Sequence, residues 1–146
     1  MDWKSEQEWI IIRWFRDHFP DFPKGRLVKG ESPDFRLLVS PRNWIGIEIV
    51  GVHPPEKEWS QNLLGQAIGS TVTAKEEKAP AYRKDKPREL WLILVANDLG
   101  ATGDRETNFE GHAEPGSRAF DRVFLFDLYR HRVTELLSLS AQGCKD

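Results

Sequence analysis

The chain has 146 residues and a net charge of −2, with 39% hydrophobic and 30% charged residues, six Trp and eight Phe. That length suits a single domain over residues 1–146 whose core buries about two-thirds of the unfolded surface, and the composition excludes a disordered chain. The slightly acidic balance excludes a protein that coats nucleic acid through bulk charge, and the single cysteine, Cys144, excludes an intrachain disulfide or a Cys-based zinc cluster.

From Lys4 to Phe19 the apolar residues Trp9, Ile10, Ile12, Trp14, Phe15 and Phe19 are too dense for alternation and predict a helix with a broad buried face, ended by Pro20 and Pro23. Arg26 to Gly30 reads as a short strand. Asp34 to Val39 and Trp44 to Val50 read as two further strands, joined by the turn residues Ser40-Pro41-Arg42-Asn43 into an antiparallel hairpin. Ser60 to Lys78 reads as a helix with an apolar line at Leu64, Ile68 and Thr71 or Val72 that leads to position 75. Between Lys75 and Arg88 six basic residues face three acidic ones, a solvated helix end and loop by default.

Leu90 to Ala96 is a continuous apolar run, as expected of a strand covered on both faces at the sheet's centre. Seven residues fall far short of the roughly 20 that a membrane span needs, and the N-terminal residues show no signal-peptide pattern, so the expected location is the cytoplasm, with no membrane partner. Residues 98–119 read as a long polar loop, 123–128 as a strand, and 133–139 as a strand or short helix. The fold class expected from this order is mixed α/β, a central mixed sheet flanked by helices. The four histidines show no paired ligand spacing, and the tryptophans read as core rather than as platforms for base stacking.

The informative stretch is Pro33-Asp34-Phe35, followed by Glu48 in Ile47-Glu48-Ile49-Val50. Alternation along a strand puts Ile45, Ile47 and Ile49 on one face and Glu48 and Val50 on the other, and the hairpin brings Asp34 beside Glu48. Two converging carboxylates repel unless protons or a cation compensate, and hard oxygen donors of this kind suit Mg²⁺ or Mn²⁺. By spacing alone, Asp34 equally reads as a turn former and Glu48 as the partner of Arg36 or another base.

This order of elements and motifs resembles the PD-(D/E)XK nuclease superfamily, whose restriction-endonuclease-like core runs αβββαβ; the resemblance spans about Ser5 to Leu128. It implies metal-dependent hydrolysis of phosphodiester bonds in nucleic acid, here DNA, by an endonuclease. It further implies that Asp34 and Glu48 bind the catalytic Mg²⁺ or Mn²⁺ with the backbone carbonyl of Ile49. A Glu near the start of the first helix is an additional ligand in some members, and Glu6 and Glu8 both match; Glu6, one turn before the apolar run, is preferred. The departure is at position 50, where Val stands in place of the usual Lys. In some members that Lys comes from the following helix, which here makes Lys75 the candidate and Lys78 the reserve. Sequence specificity would then come from loops, a second subunit of a homodimer, or a partner protein. The alternative is a catalytically inactive member of the same fold, acting as a binding or assembly module.

Overall fold

The computed structural model describes residues 3–52, 61–96 and 119–138. Helix α1 spans Trp3–His18, followed by β1 (Arg26–Lys29), β2 (Phe35–Leu38) and β3 (Trp44–Gly51). Helices α2 (Gln61–Glu76) and α3 (Ala79–Tyr82) lead to β4 (Glu89–Ala96), β5 (Arg122–Asp127) and β6 (Arg132–Ser138). The six strands form one sheet in sequence order, with β3, β4 and β5 mutually parallel and the remaining pairings antiparallel. The fold is therefore mixed α/β around a mixed sheet, and β4 lies inside it.

The apolar run of β4 divides by alternation between two cores. Leu90, Leu92, Leu94 and Ala96 pack on one face with Leu64, Ile68 and Val72 of α2 and Tyr82 of α3. Trp91, Ile93 and Val95 pack on the other with Ile12 and Phe15 of α1, and with Phe35, Leu37, Ile45 and Ile47 of the hairpin. Burial on both faces explains why the run carries no polar residue. Phe15 meets Phe124 edge-on at 5.1 Å between ring centroids, an aromatic contact that seats α1 on the sheet.

Two local features differ from the sequence reading, and a third settles a choice it left open. The expected broad buried face of α1 is narrower: Ile12 and Phe15 are fully buried, whereas Ile10 is 47% and Trp14 41% exposed. Helix α3 was not expected, because four residues that include Pro80 carry no periodic signal; the proline occupies the first turn, where its missing N–H costs nothing. Residues 132–138 resolve the choice between strand and helix in favour of an edge strand. The expected polar loop over 98–119 falls, up to residue 118, outside the described residues.

Gly46 of β3 sits beneath the segment entering β2, where a Cβ would lie 2.9 Å from the Pro33 ring and 3.0 Å from a methyl of Leu90. Leu90 can turn its methyl away but the proline ring cannot follow. Gly46→Ala is expected to cost about 1–3 kcal/mol, the range for overpacking a filled core, read as a lower urea midpoint at unchanged slope. Because Pro33 precedes Asp34, the same substitution tests how tightly the fold holds that carboxylate.

Candidate active site

Strand β2 begins at Phe35, opposite Ile47, while β3 continues to Gly51. Beyond that pair the edge of β3 has no β2 partner, and the chain entering β2 delivers Asp34 there. The Asp34 N–H donates to Glu48 Oε1 at 3.1 Å, and the Ile49 N–H donates to Asp34 Oδ2 at 2.9 Å. A strand residue aims its N–H and C=O at the same edge, so the Ile49 carbonyl faces this notch too. The hairpin thus brings together Asp34, Glu48 and Ile49.

Both carboxylates are buried, Asp34 at 8% and Glu48 at 5% exposure. Burial pushes the Asp34 carboxyl up to about 8, reinforced by the negative charge of Glu48 and, more weakly, that of Glu8; the Ile49 N–H pulls the other way. Asp34 therefore holds a proton near neutral pH while no cation is bound.

From the opposite face of the sheet, two side chains converge on Glu48 Oε2. Lys75, near the end of α2, places its ammonium 3.0 Å away, and the Tyr82 hydroxyl of α3 donates at 2.8 Å. Burial and the bond to Glu48 both raise the Tyr82 hydroxyl, so it stays a proton donor. Leu64, Ile68 and Val72 anchor α2 to the sheet, and the same line, carried one turn further, delivers Lys75. Lys78, the reserve, is exposed at the start of α3.

On the α1 side the acidic residue that approaches is Glu8, not Glu6. Glu8 lies on the stripe of Ile12 and Phe15, four and seven residues on, and is 7% exposed. Glu6, two residues earlier, sits about 200° around the helix from it and is only half-buried. Glu8 Oε1 lies 3.2 Å from the Lys29 ammonium, which also donates to the carbonyls of Gly30 and Asp34 at 3.0 and 3.1 Å. Lys29 thereby ties α1 to the segment that carries Asp34. The second oxygen of Glu8, Oε2, is buried without a hydrogen-bond partner.

The sequence reading missed Tyr82 and Lys29 and preferred Glu6, whereas the glutamate that approaches Asp34 is Glu8. Lys29 could have been found from the hairpin, because it pairs with Phe35 and so must lie beside Asp34. Glu8 could have been found from its spacing to Ile12 and Phe15. Tyr82 had no signal of its own, since α3 had none.

Among the described residues, no group of three or more His, Cys, Asp or Glu is placed to hold one ion, so Glu8 does not stand as a third ligand beside Asp34 and Glu48. Two carboxylates and a strand carbonyl nevertheless match the way Mg²⁺ is commonly held, by one or two carboxylates with water and substrate phosphate completing the shell. Burial first, and then the negative charge of Glu48, push Asp34 upward, and a divalent cation would offset that charge. The donors present fit such an ion.

No protein-family model matches the chain, and no curated protein and no solved structure matches it either.

Proposed function

We propose that this protein is a metal-dependent phosphodiesterase acting on nucleic acid, an endonuclease of the PD-(D/E)XK type with a restriction-endonuclease-like core. Asp34, Glu48 and the Ile49 carbonyl would hold Mg²⁺ or Mn²⁺, which when bound supplies charge stabilisation and an acidified water. The observation that carries the reading is the Lys75 ammonium, 3.0 Å from Glu48 Oε2 in a chain whose strand position 50 holds Val. What supports the reading is that this ammonium ends an apolar, sheet-facing line at the carboxylate pair itself.

In this reading Lys75 is the cation that orients the attacking water and balances charge on the phosphoryl oxygens as the P–O bond to the leaving sugar oxygen breaks. Tyr82 keeps Glu48 oriented while Lys75 shifts toward the substrate. Lys29 fixes the segment that carries Asp34. DNA is the substrate expected, with sequence specificity from a second subunit or a partner protein, and the cytoplasm is the expected location. No helix among the described residues is long and apolar enough to cross a membrane.

The test is cleavage of single- and double-stranded DNA and RNA with Mg²⁺ or Mn²⁺, comparing the native protein with Lys75→Met. Cleavage by the native protein, lowered about 10²- to 10³-fold in the variant at unchanged circular dichroism, is the expected result, the range for losing one positioned donor to a developing negative charge. Absence of cleavage together with absence of metal binding by calorimetry would replace this reading with the inactive binding or assembly module.

A further inference from the structure

On the α1 side, next to the acidic notch, lies a cleft of about 560 Å³, between α1 and the carboxyl ends of the parallel strands β3, β4 and β5. Its walls include Ile10, Ile11 and Trp14 of α1, with Ile49 and Leu128 opposite, and Glu8, whose charge also acts on Asp34, lines it too. The volume is within the usual range for small-molecule sites, and the carboxyl end of parallel strands is where open α/β sheets bind ligands. Ile10 and Trp14 are two of the four exposed large hydrophobic side chains among the described residues. The tryptophans were expected to be core, so Trp14 departs from that expectation at this cleft.

We propose that this cleft seats a nucleobase of the substrate strand that carries an exocyclic amino group, which donates to Glu8. The proposal rests on the phosphodiesterase reading, because it places the base beside a phosphate held at Asp34 and Glu48. Three observations select the occupant. The walls are mostly apolar and include an indole, with Lys4 and Gln7 as further polar lining beside Glu8, which suits a flat aromatic ring with polar edges. The cleft shares Ile49 with the notch, and the Ile49 N–H is bonded to Asp34, so an occupant of one is adjacent to an occupant of the other.

The third is Glu8 itself, a side chain more than nine-tenths buried that lines the cleft, with Oε1 committed to Lys29 and Oε2 unpartnered. An orphaned buried carboxylate oxygen is costly until it gains a donor, and Glu8 is the acidic residue in the cleft's lining. A carboxylate accepts only. Adenine, cytosine and guanine each carry an exocyclic amino group that can donate to it, whereas thymine has none and flanks its one ring N–H with two carbonyl oxygens, which would face Glu8 as further acceptors.

The experiment measures cleavage of single-stranded oligonucleotides that differ only in the base beside the scissile phosphate, with anisotropy of short oligo(dA), oligo(dC) and oligo(dT) in EDTA as a readout independent of chemistry. The native protein, Glu8→Gln and Trp14→Ala are compared, each checked for fold by circular dichroism. The expected result is at least about a tenfold preference for adenine or cytosine over thymine, the discrimination of one base contact. Glu8→Gln should erase it, because an amide both donates and accepts. Trp14→Ala, which removes a partly exposed indole and its contact with the His131 ring, should weaken binding of every base about tenfold.

Cleavage without base preference, unchanged in both variants, would overturn the cleft assignment and leave the phosphodiesterase reading standing. Base-selective binding that depends on Glu8 and Trp14, without cleavage under any metal, would support the cleft and remove the catalytic reading. Failure of both assays would overturn both. If Trp14→Ala instead converts a dimer to a monomer in sedimentation without changing oligonucleotide binding, the cleft is a contact between copies of the chain and the nucleobase assignment is wrong.

Discussion

Asp34→Asn and Glu48→Gln are each expected to lower metal-dependent cleavage by about 10³- to 10⁴-fold. The size follows from the several kcal/mol of transition-state stabilisation that a bound divalent ion contributes, at about 1.4 kcal/mol per factor of ten. The two substitutions reach that loss differently. At position 34, an amide oxygen can still accept from the Ile49 N–H, so the backbone geometry survives while the charge that would hold the ion is gone. At position 48, the amide leaves the Lys75 ammonium without its carboxylate, 3.0 Å away in the native protein. Breaking a largely buried pair by removing one partner is destabilising, so Glu48→Gln should lower the urea midpoint where Asp34→Asn does not. Loss of activity in both, with loss of stability in only one, separates chemistry from folding. Retention of cleavage by Asp34→Asn would remove the carboxylate pair from the mechanism.

Stability of the metal-free protein should fall as pH rises from about 4 to about 8. Burial raises the folded-state carboxyl of Asp34 from its usual 3.8 to about 8. Between those values the folded protein keeps a proton that the unfolded chain has released, so the unfolded state binds fewer protons and stability declines with increasing pH. The contribution is complete below pH 4 and lost as pH passes through the folded value. With a raised carboxyl this large the change amounts to a few kcal/mol. Urea midpoints measured from pH 5 to 9 in EDTA should slope downward for the native protein and much less for Asp34→Asn, which has no proton to lose. Saturating Mg²⁺ should flatten the native curve by displacing that proton. Parallel curves for the two proteins without metal would show that the carboxyl does not titrate in this range.

The parts of this fold legible in the sequence are those where periodicity and burial agree. The run 90–96 reads as a doubly covered strand because it is one, with Leu90 and Trp91 facing opposite cores. The Asp34 and Glu48 pair was legible because a short turn leaves a hairpin little choice of register, and one register satisfies both its apolar face and its carboxylates. Lys75 was legible as the polar end of an apolar helical line. Proximity to the start of the apolar run points to Glu6, but phase around the helix decides which side chain reaches the sheet, and that is Glu8. Tyr82 was illegible because its position depends on how a short proline-containing turn exits α2, which is set by tertiary packing. Trp14 was misread because composition alone cannot tell a core indole from one at a cleft mouth.

The sheet's connectivity also orders the assembly of the site in time. Asp34 and Glu48 are 14 residues apart and join through one hairpin, whereas Lys75 and Tyr82 reach Glu48 across 27 and 34 residues. The parallel pairing of β3 with β4, which aligns Ile45 with Glu89, closes a longer loop still. Closure entropy must be met before distant contacts repay it, and such pairings are intrinsically slow. The two carboxylates therefore meet through a local hairpin, ahead of the lysine and tyrosine that later engage one of them. For that interval the nascent hairpin carries two adjacent acidic groups in water, where full solvation keeps their repulsion small. The strain that marks the finished site arises only when the helices close over it.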